Sequence, residues 1–199
     1  MIVNQTFKKE YTVSIRRIYI LSVFVLLVII VLFVLPYAYL WGEPFISYFR
    51  YYVSERKYQW DSVFFYILVL RDLFGISLLI IIGAALHELL HGIFWIFFTK
   101  KGIKSLKFGF SESDFSPYIH CTEPIPVWIY RIGILLPGLI LGIIPAVLAI
   151  FTGKLWLLMF GSFFSWAASG DFIIFYMIRN LKDNVLVQDH PEKVGCYIM

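Results

Sequence analysis

Charge is scarce in this sequence. Lysine, arginine, aspartate and glutamate make up 15% of its 199 residues. Soluble globular domains carry about 25%, so the scarcity argues against a soluble protein. The net charge is +4, but the basic residues flank apolar blocks and form no stripe. We therefore expect no nucleic-acid partner and interpret the basic residues as orientation signals.

Cysteine is also rare. The two cysteines, Cys121 and Cys196, lie far apart in the sequence and have no CxxC spacing. This pattern indicates neither a disulfide framework nor a zinc knuckle. We expect each cysteine to be a free, reduced thiol.

Long apolar runs, in contrast, are abundant. Hydrophobic residues account for 60% of the chain, and the mean hydropathy is +0.81. Such runs are suited to lipid, because a helix needs about 20 apolar residues to cross the bilayer core. We predict an all-α integral membrane protein, a single membrane domain over residues 1–199 in contact with the lipid bilayer. About four transmembrane helices are expected, at residues 18–41, 73–98, 127–151 and 155–178.

The limits of these spans rest on different signals. The first is longer than the roughly 7–15 apolar residues of a signal peptide and lacks a small-residue cleavage site, so it is expected to be retained. The second apolar run, residues 63–98, would be roughly 54 Å long as one helix, against an apolar slab of about 30 Å. We expect it to break, bend or lie flat, with its outer boundary at Arg71 and Asp72. Pro137 and Gly138 predict a kink or a broken helix in the third span.

Basic residues set the predicted orientation. Those before the first span, those in Lys100–Lys107 and those after residue 178 share one side, which the positive-inside rule makes cytoplasmic. We predict a multi-pass protein of the cell membrane, with both termini, the loop 99–126 and the polar tail 179–199 in the cytoplasm. Alternation over Lys104–Phe110 predicts a short strand in that loop. His190, in the tail, is expected to be exposed.

The motif that carries chemistry is His87-Glu88-Leu89-Leu90-His91, inside the second span. On a helix, residues i and i+4 share a face about 6 Å apart along the axis. Both imidazoles can therefore bind one zinc ion, with the glutamate beside it. Such residues are costly to bury in a membrane span and mark a functional site by default. The alternative is a polar trio that bonds neighbouring helices, a role that does not require this spacing and order.

A catalytic zinc site needs a third protein ligand and an open position for water. Asp171 is the carboxylate that lies well inside another span. His91 precedes Lys100 by nine residues and Asp171 precedes Arg179 by eight, so both lie about 12–14 Å from the cytoplasmic boundary. We predict that Asp171 binds zinc with His87 and His91. The alternative is a buried carboxylate paired with a basic group or hydrogen-bonded to a neighbouring helix.

These residues resemble the site-2 protease class of intramembrane zinc metalloproteases. They are still more similar to the small bacterial membrane proteins described as zincin peptidases. The resemblance covers roughly residues 73–180. It implies that Glu88 is the general base and that His87, His91 and Asp171 bind zinc. It also implies a membrane-embedded or membrane-adjacent protein or peptide substrate, and a hairpin that receives the unwound substrate after the HExxH helix.

The function predicted on this basis is hydrolysis of peptide bonds by zinc-activated water, with Glu88 as the base. The sequence departs from the site-2 protease pattern, because Phe172 follows Asp171 where a glycine is usual and no asparagine lies nearby. A non-catalytic membrane zinc-binding or scaffold protein is therefore the alternative. A transporter subunit would need further polar residues in its spans, of which the sequence has few. No oligomeric state is predicted.

Two weaker candidates lie outside the motif. His120, beside Cys121 in the cytoplasmic loop, could reach the site as an oxyanion donor or an inhibitory ligand. It could equally have only a local role, since one histidine in a loop has little specificity. Ser162, Ser165 and Ser169 share a face of the fourth span and are expected to serve helix packing, because no base is spaced to activate them.

Overall fold

The computed structural model describes residues 9–57, 63–111, 116–191 and 193–199. Within these ranges the protein is mostly helical, and its short strands form two antiparallel sheets. The helices are α1 (Ile15–Ile29), α2 (Leu35–Lys57), α3 (Val63–Ile96), α4 (Val127–Pro137), α5 (Ile144–Thr152), α6 (Leu155–Ala167) and α7 (Ser169–Ile178). The strands are β1 (Lys9–Val13), β2 (Leu106–Ser111), β3 (Ser116–Cys121), β4 (Ile125–Pro126), β5 (Leu186–Asp189) and β6 (Val194–Ile198).

Several helical stretches have the length and composition of membrane spans. Among the described residues, three are long and apolar enough to cross a membrane: Ile15–Pro44, Tyr66–Ile96 and Val127–Thr152. The pair α6 and α7, bent by 48°, makes a fourth if it counts as one span. Large apolar side chains cover the outer faces, such as Phe24 at 66% exposure and Phe74 at 71%. Such a surface is favoured by lipid.

The helix does not break at Arg71 and Asp72, because α3 runs unbroken from Val63 to Ile96; that these two residues mark the outer boundary of the span stays a prediction. The two charged side chains bind each other instead. Arg71 donates from Nε and from a terminal guanidinium nitrogen to Asp72 Oδ1, at 3.0 and 2.7 Å. Paired charges are less costly on an apolar helix than separate ones. The pair therefore gives the helix no reason to end there.

The third span also continues where a kink or break is predicted. A π-helical segment, Gly138–Ile143, joins α4 to α5 directly after Pro137. A similar segment, Ile30–Val34, joins α1 to α2. The proline is thus accommodated by a local widening of the helix, which is a common way to absorb a missing backbone donor.

The loop after α3 contains the predicted β-hairpin. Strands β2 and β3 pair antiparallel, with Leu106 opposite Cys121 and Lys107 opposite His120. β3 packs against α3, and the Ile119 side chain reaches the helix at Gly92. The hairpin therefore lies directly against the helix that carries the HExxH motif.

A second sheet, of four strands in the order β1-β6-β5-β4, is missing from the all-α prediction. The strand Lys9–Val13 pairs with Val194–Ile198, so the predicted polar tail is folded into this sheet. His190 is buried, with 8% exposure, and its predicted exposure is wrong. Its Nδ1 accepts a hydrogen bond from the Lys193 N–H at 2.8 Å, and its Nε2 lies 2.8 Å from the Tyr197 hydroxyl. These partners offset the cost of burying the imidazole.

Helices α3, α4 and α7 and strands of both sheets share one hydrophobic core. Arg131 of α4 fixes the end of α7 by donating to the carbonyls of Ile178 and Arg179 at 2.7 and 3.0 Å. Both cysteines are buried and free, as expected. The buried members of this core are Trp95, Leu106, Ile119, Cys121, Ile125, Val127, Ile129, Tyr130, Ile134, Ile174, Ile178, Val187 and Cys196.

Candidate metal centre

The two histidines of the HExxH motif occupy one inward face of α3. Their ring centroids lie 5.0 Å apart, with the ring planes at 79°. Gly83, one turn earlier on the helix, lies against the ring of Phe164 in α6. A Cβ at this glycine would come within 2.0 Å of the ring. The absence of a side chain therefore leaves room for the Phe164 ring on this face.

Asp171 faces these histidines from α7. The helical pair bends just before it, so that Asp171 lies in the first turn of α7. Its Oδ2 lies 3.0 Å from Nε2 of His87, and its Oδ1 lies 3.7 Å from Nε2 of His91. Three side chains that the sequence predicts to be ligands, on two helices and up to 84 residues apart, thus converge at one point.

A backbone carbonyl holds the ring of His91 in the orientation that metal binding requires. Nδ1 of His91 lies 2.9 Å from the carbonyl oxygen of Gly133. That oxygen lacks the usual helical partner, because the residue four positions later is Pro137, which has no N–H. A donating Nδ1–H leaves the Nε2 lone pair directed at Asp171. The proline predicted to distort the third span therefore also leaves the Gly133 carbonyl free to accept a hydrogen bond from a candidate ligand.

An aromatic stack supports the same ring. Trp95 stacks on His91 with centroids 5.4 Å apart, and Tyr130 stacks on the other side of Trp95 at 5.5 Å, with the planes within 2° of parallel. Trp95 and Tyr130 are both buried. Packing of this kind removes rotamer freedom from the imidazole, so its position is determined before any ligand binds.

The converging donors fit a zinc ion. Two imidazole nitrogens and a carboxylate are the three-ligand set of many catalytic zinc sites. Bonds of about 2.0–2.1 Å in a tetrahedral arrangement place neighbouring ligand atoms about 3.4 Å apart. The distances of 3.0 and 3.7 Å from Asp171 to His87 and His91 bracket that value. The ligand atoms of His87, Glu88 and His91 also lie within 4.8 Å of one another.

Glu88 is positioned by the hairpin. Its Oε2 accepts a hydrogen bond from the backbone N–H of Ile119 in β3, at 2.8 Å. This bond uses one carboxylate oxygen. Among the described residues, no other hydrogen bond to this carboxylate occurs, and the second oxygen stays available. One strand of the predicted hairpin thus orients the predicted base.

A cavity of about 800 Å³ opens onto this centre. Glu88, His91 and Asp171 line it from the helices. His120 and Asp189 line it from the strands, with His120 Nδ1 3.4 Å from Asp189 Oδ2. The structure therefore brings His120, the weaker candidate of the sequence, into the same cavity as the HExxH motif. Ser165 and Ser169 are buried between helices, in agreement with a packing role.

Two residues of this cavity were not predicted from the sequence. Asp189 is the last residue of β5, and Tyr130 of α4 donates from its hydroxyl to Asp189 Oδ1 at 2.9 Å. The alternation of Val185 and Val187 is a signal for a strand in this part of the tail. No local signal indicates which other strand it joins, so the sequence could not place Asp189 beside His120.

A smaller cavity of about 330 Å³ reaches the same centre from between the helices. His87, Glu88 and Asp171 line it together with the small residues Ala84 and Ala167. Glu88 and Asp171 line both cavities. The centre can therefore be approached from the strand side and from between α3 and α6.

Comparison with known proteins gives one match. The model of a family described as "Putative zincin peptidase" matches residues 80–186, which is more than half of the chain and includes His87, Glu88, His91 and Asp171. No curated protein and no solved structure matches the chain. Asp189 lies three residues beyond the matched range.

Proposed function

This chain belongs to the zincin peptidase family whose model it matches, and we propose that it is an intramembrane zinc metallopeptidase. Its reaction would be hydrolysis of peptide bonds in a membrane-embedded or membrane-adjacent protein. The observation that carries the proposal is the position of Asp171, within 3.0 and 3.7 Å of the two motif histidines. If the motif residues only joined helices, the Nε2 atoms of His87 and His91 would not both need to face the Asp171 carboxylate. Nor would one carboxylate oxygen of Glu88 need to be left without a hydrogen bond.

The residues have distinct roles in this proposal. His87, His91 and Asp171 would hold zinc, which when bound supplies a Lewis acid that polarises the scissile carbonyl and acidifies water. Glu88 takes the proton of the attacking water on the oxygen that Ile119 does not engage. The same carboxyl group then gives that proton to the leaving amine. The Ile119 N–H keeps the carboxylate oriented during both transfers.

The surroundings of the centre support a polypeptide substrate. A cavity of about 800 Å³ has the size of sites that enclose several residues or a drug-sized ligand. Peptide bonds in a helix are protected by their own hydrogen bonds, so a substrate must be locally unwound. We propose that the helical part of the substrate lies in the membrane and that its unwound part enters the cavity on the strand side.

The same reasoning extends to location. β1 and β6 pair, so both ends of the described chain lie on one side of the helices, as an even number of spans requires. We propose that this side is cytoplasmic in the cell membrane, because the basic residues of the loop and the tail lie there. The hairpin and the four-stranded sheet would then face the cytoplasm.

The decisive experiment is Glu88→Gln in the full chain reconstituted in liposomes. We expect zinc content to stay at the level of the unaltered protein and cleavage to disappear, since the amide cannot accept a proton. The probe is a mixture of membrane-protein fragments in the same liposomes, with products identified by mass spectrometry. Glu43→Gln, at an exposed glutamate of α2, is the matched control and should keep both properties. Full cleavage by the Glu88 variant would disprove the mechanism.

A non-catalytic zinc-binding scaffold is the second candidate. One observation favours it: Phe172, which follows Asp171, packs against Gly138, so this position serves helix packing where the site-2 protease pattern has a glycine. Metal content does not separate the two candidates. The scaffold requires zinc binding without any turnover of the liposome substrates, whereas the peptidase requires both.

A further inference from the structure

Strand β3 brings two groups to the metal centre from adjacent residues. The N–H of Ile119 binds Glu88, and the side chain of the next residue, His120, lines the cavity that contains Glu88. His120 is 7% exposed. Because the backbone of Ile119 is fixed to Glu88, the position of the His120 ring is coupled to the position of the base.

A carboxylate from the other sheet is aligned with this ring. Asp189 Oδ2 lies 3.4 Å from His120 Nδ1 and accepts the Cys121 N–H at 3.4 Å. Its Oδ1 accepts the Tyr130 hydroxyl at 2.9 Å. Asp189 is thus held from two sides and gives the imidazole a fixed negative neighbour.

The other basic side chains of the cavity already have partners. Lys193 lies 2.8 Å from the Glu10 carboxylate, and His190 lies 3.4 Å from it besides its contacts within the tail. His91 faces Asp171. Among the described residues, the His120 side chain has one polar contact, between Nδ1 and the Asp189 carboxylate. Its Nε2 is therefore the ring nitrogen with a donor to offer to a substrate.

We propose that His120 is a second catalytic residue, which donates a hydrogen bond from Nε2 to the scissile carbonyl oxygen as negative charge develops on it. Asp189 is the positioning residue: its carboxylate lies 3.4 Å from Nδ1, outside hydrogen-bond geometry, and acts on the ring as a fixed negative neighbour. In this role the ring only donates a hydrogen bond from Nε2, and no covalent bond to His120 forms or breaks. The inference rests on the proposed peptidase function. His120 would thereby supply an oxyanion donor, for which the sequence near Asp171 offers no asparagine.

The test uses two probes on the zinc-loaded full chain in detergent. A peptide phosphonate carries tetrahedral oxygens that resemble the charged transition state, whereas a peptide hydroxamate binds chiefly through the metal. For His120→Ala we expect phosphonate affinity to fall by roughly 100-fold, the effect of removing one oxyanion donor, with hydroxamate affinity and zinc content unchanged. His120→Gln, which retains a donor, should recover part of the loss. Asp189→Asn should weaken phosphonate binding by roughly 10-fold.

One control separates catalysis from structure. Lys107→Ala alters the residue opposite His120 in the hairpin and should leave both affinities unchanged. Equal weakening of both probes by His120→Ala would show a structural role and overturn the proposal, and so would unchanged phosphonate affinity. If the unaltered protein binds neither probe, the peptidase function itself fails and this inference fails with it.

Discussion

The candidate centre is built from two halves that differ in how they are assembled. The helical half consists of His87, Glu88 and His91 on α3 and Asp171 on α7. The strand half consists of the Ile119 N–H and His120 on β3, with Asp189 at the end of β5. In the helical half, three of the four residues lie within one turn and a single helix contact brings the fourth. The strand half needs two sheets, one of which joins the first described strand to the last.

This difference separates the two tasks of the centre. All three candidate zinc ligands belong to the helical half, and the groups that orient the base and line the cavity belong to the strand half. Damage to the sheets should therefore disturb substrate handling more than metal binding. Damage to the ligands should remove the metal and leave the sheets in place. The three predictions that follow test this separation, beginning with the largest effect.

Asp171→Ala should abolish stoichiometric zinc binding. Changes to groups that only support a ligand cost about 10–100-fold in metal affinity, so loss of a ligand itself should cost more than about 100-fold. Metal analysis of the purified variant measures this. Asp72→Ala removes a carboxylate that is paired on the outer part of α3 and should retain zinc. An unchanged zinc content in Asp171→Ala would show that this residue is not a ligand, and the ligand set assigned to the helical half would be wrong.

Gly195→Ala should loosen the strand half and spare the metal. Gly195 has φ +140°, and a Cβ there would lie 2.0 Å from the backbone oxygen of Tyr11 in β1. Neither backbone can move without breaking the pairing of β1 with β6. We expect a loss of roughly 1–3 kcal/mol in the free energy of unfolding, measured by thermal unfolding in detergent, together with faster proteolysis of the segment before α1.

The matched control for this variant is Gly75→Ala. Gly75 lies on α3, and a Cβ there has no atom within 4 Å, so stability should stay the same or rise slightly. Metal analysis of Gly195→Ala tests whether the helical half can bind zinc when the strand half is loosened. Zinc retained at the normal level supports two separable halves, whereas parallel loss of zinc and stability would mean that the centre forms as one unit.

The smallest effect concerns the two thiols of the strand half. Burial raises the pKa of Cys121 to about 11 and that of Cys196 to about 12. At pH 8 the thiolate fractions are therefore roughly one in 10³ and one in 10⁴. Maleimide labelling of the folded protein should be slow at both cysteines and complete after denaturation. In Gly195→Ala, Cys196 should label first, because it is the adjacent residue of β6; faster labelling of Cys121 would place the weak point in the hairpin.

The helical half of the centre could be predicted from the sequence because its signals are local. The spacing of His87 and His91 follows the period of one helix. The level of Asp171 follows from counting residues to a basic boundary. The bend before Asp171 has a local signal that we did not use. Ser169 and Gly170 are adjacent there, and sharp helix kinks occur at such pairs.

The strand half could be predicted only in part. Alternation over Lys104–Phe110 predicts β2, and the hairpin follows from β3 coming next along the chain. The pairing of β1 with β6 depends on residues almost the whole chain apart, and loop closure over such a distance leaves no local pattern. Asp189 was missed for this reason. The expected exposure of His190 was wrong for the same reason, because its burial depends on strands that pair at long range.

The pairing of β1 with β6 also sets an order of events while the chain is being made. β1 emerges early and has no partner until β6 has been synthesised. His87, His91 and Asp171 all precede β6, so a nascent chain would possess its complete ligand set while the cavity is still open to solvent. Pairing of β1 with β6 would come afterwards and would complete the strand side of the cavity.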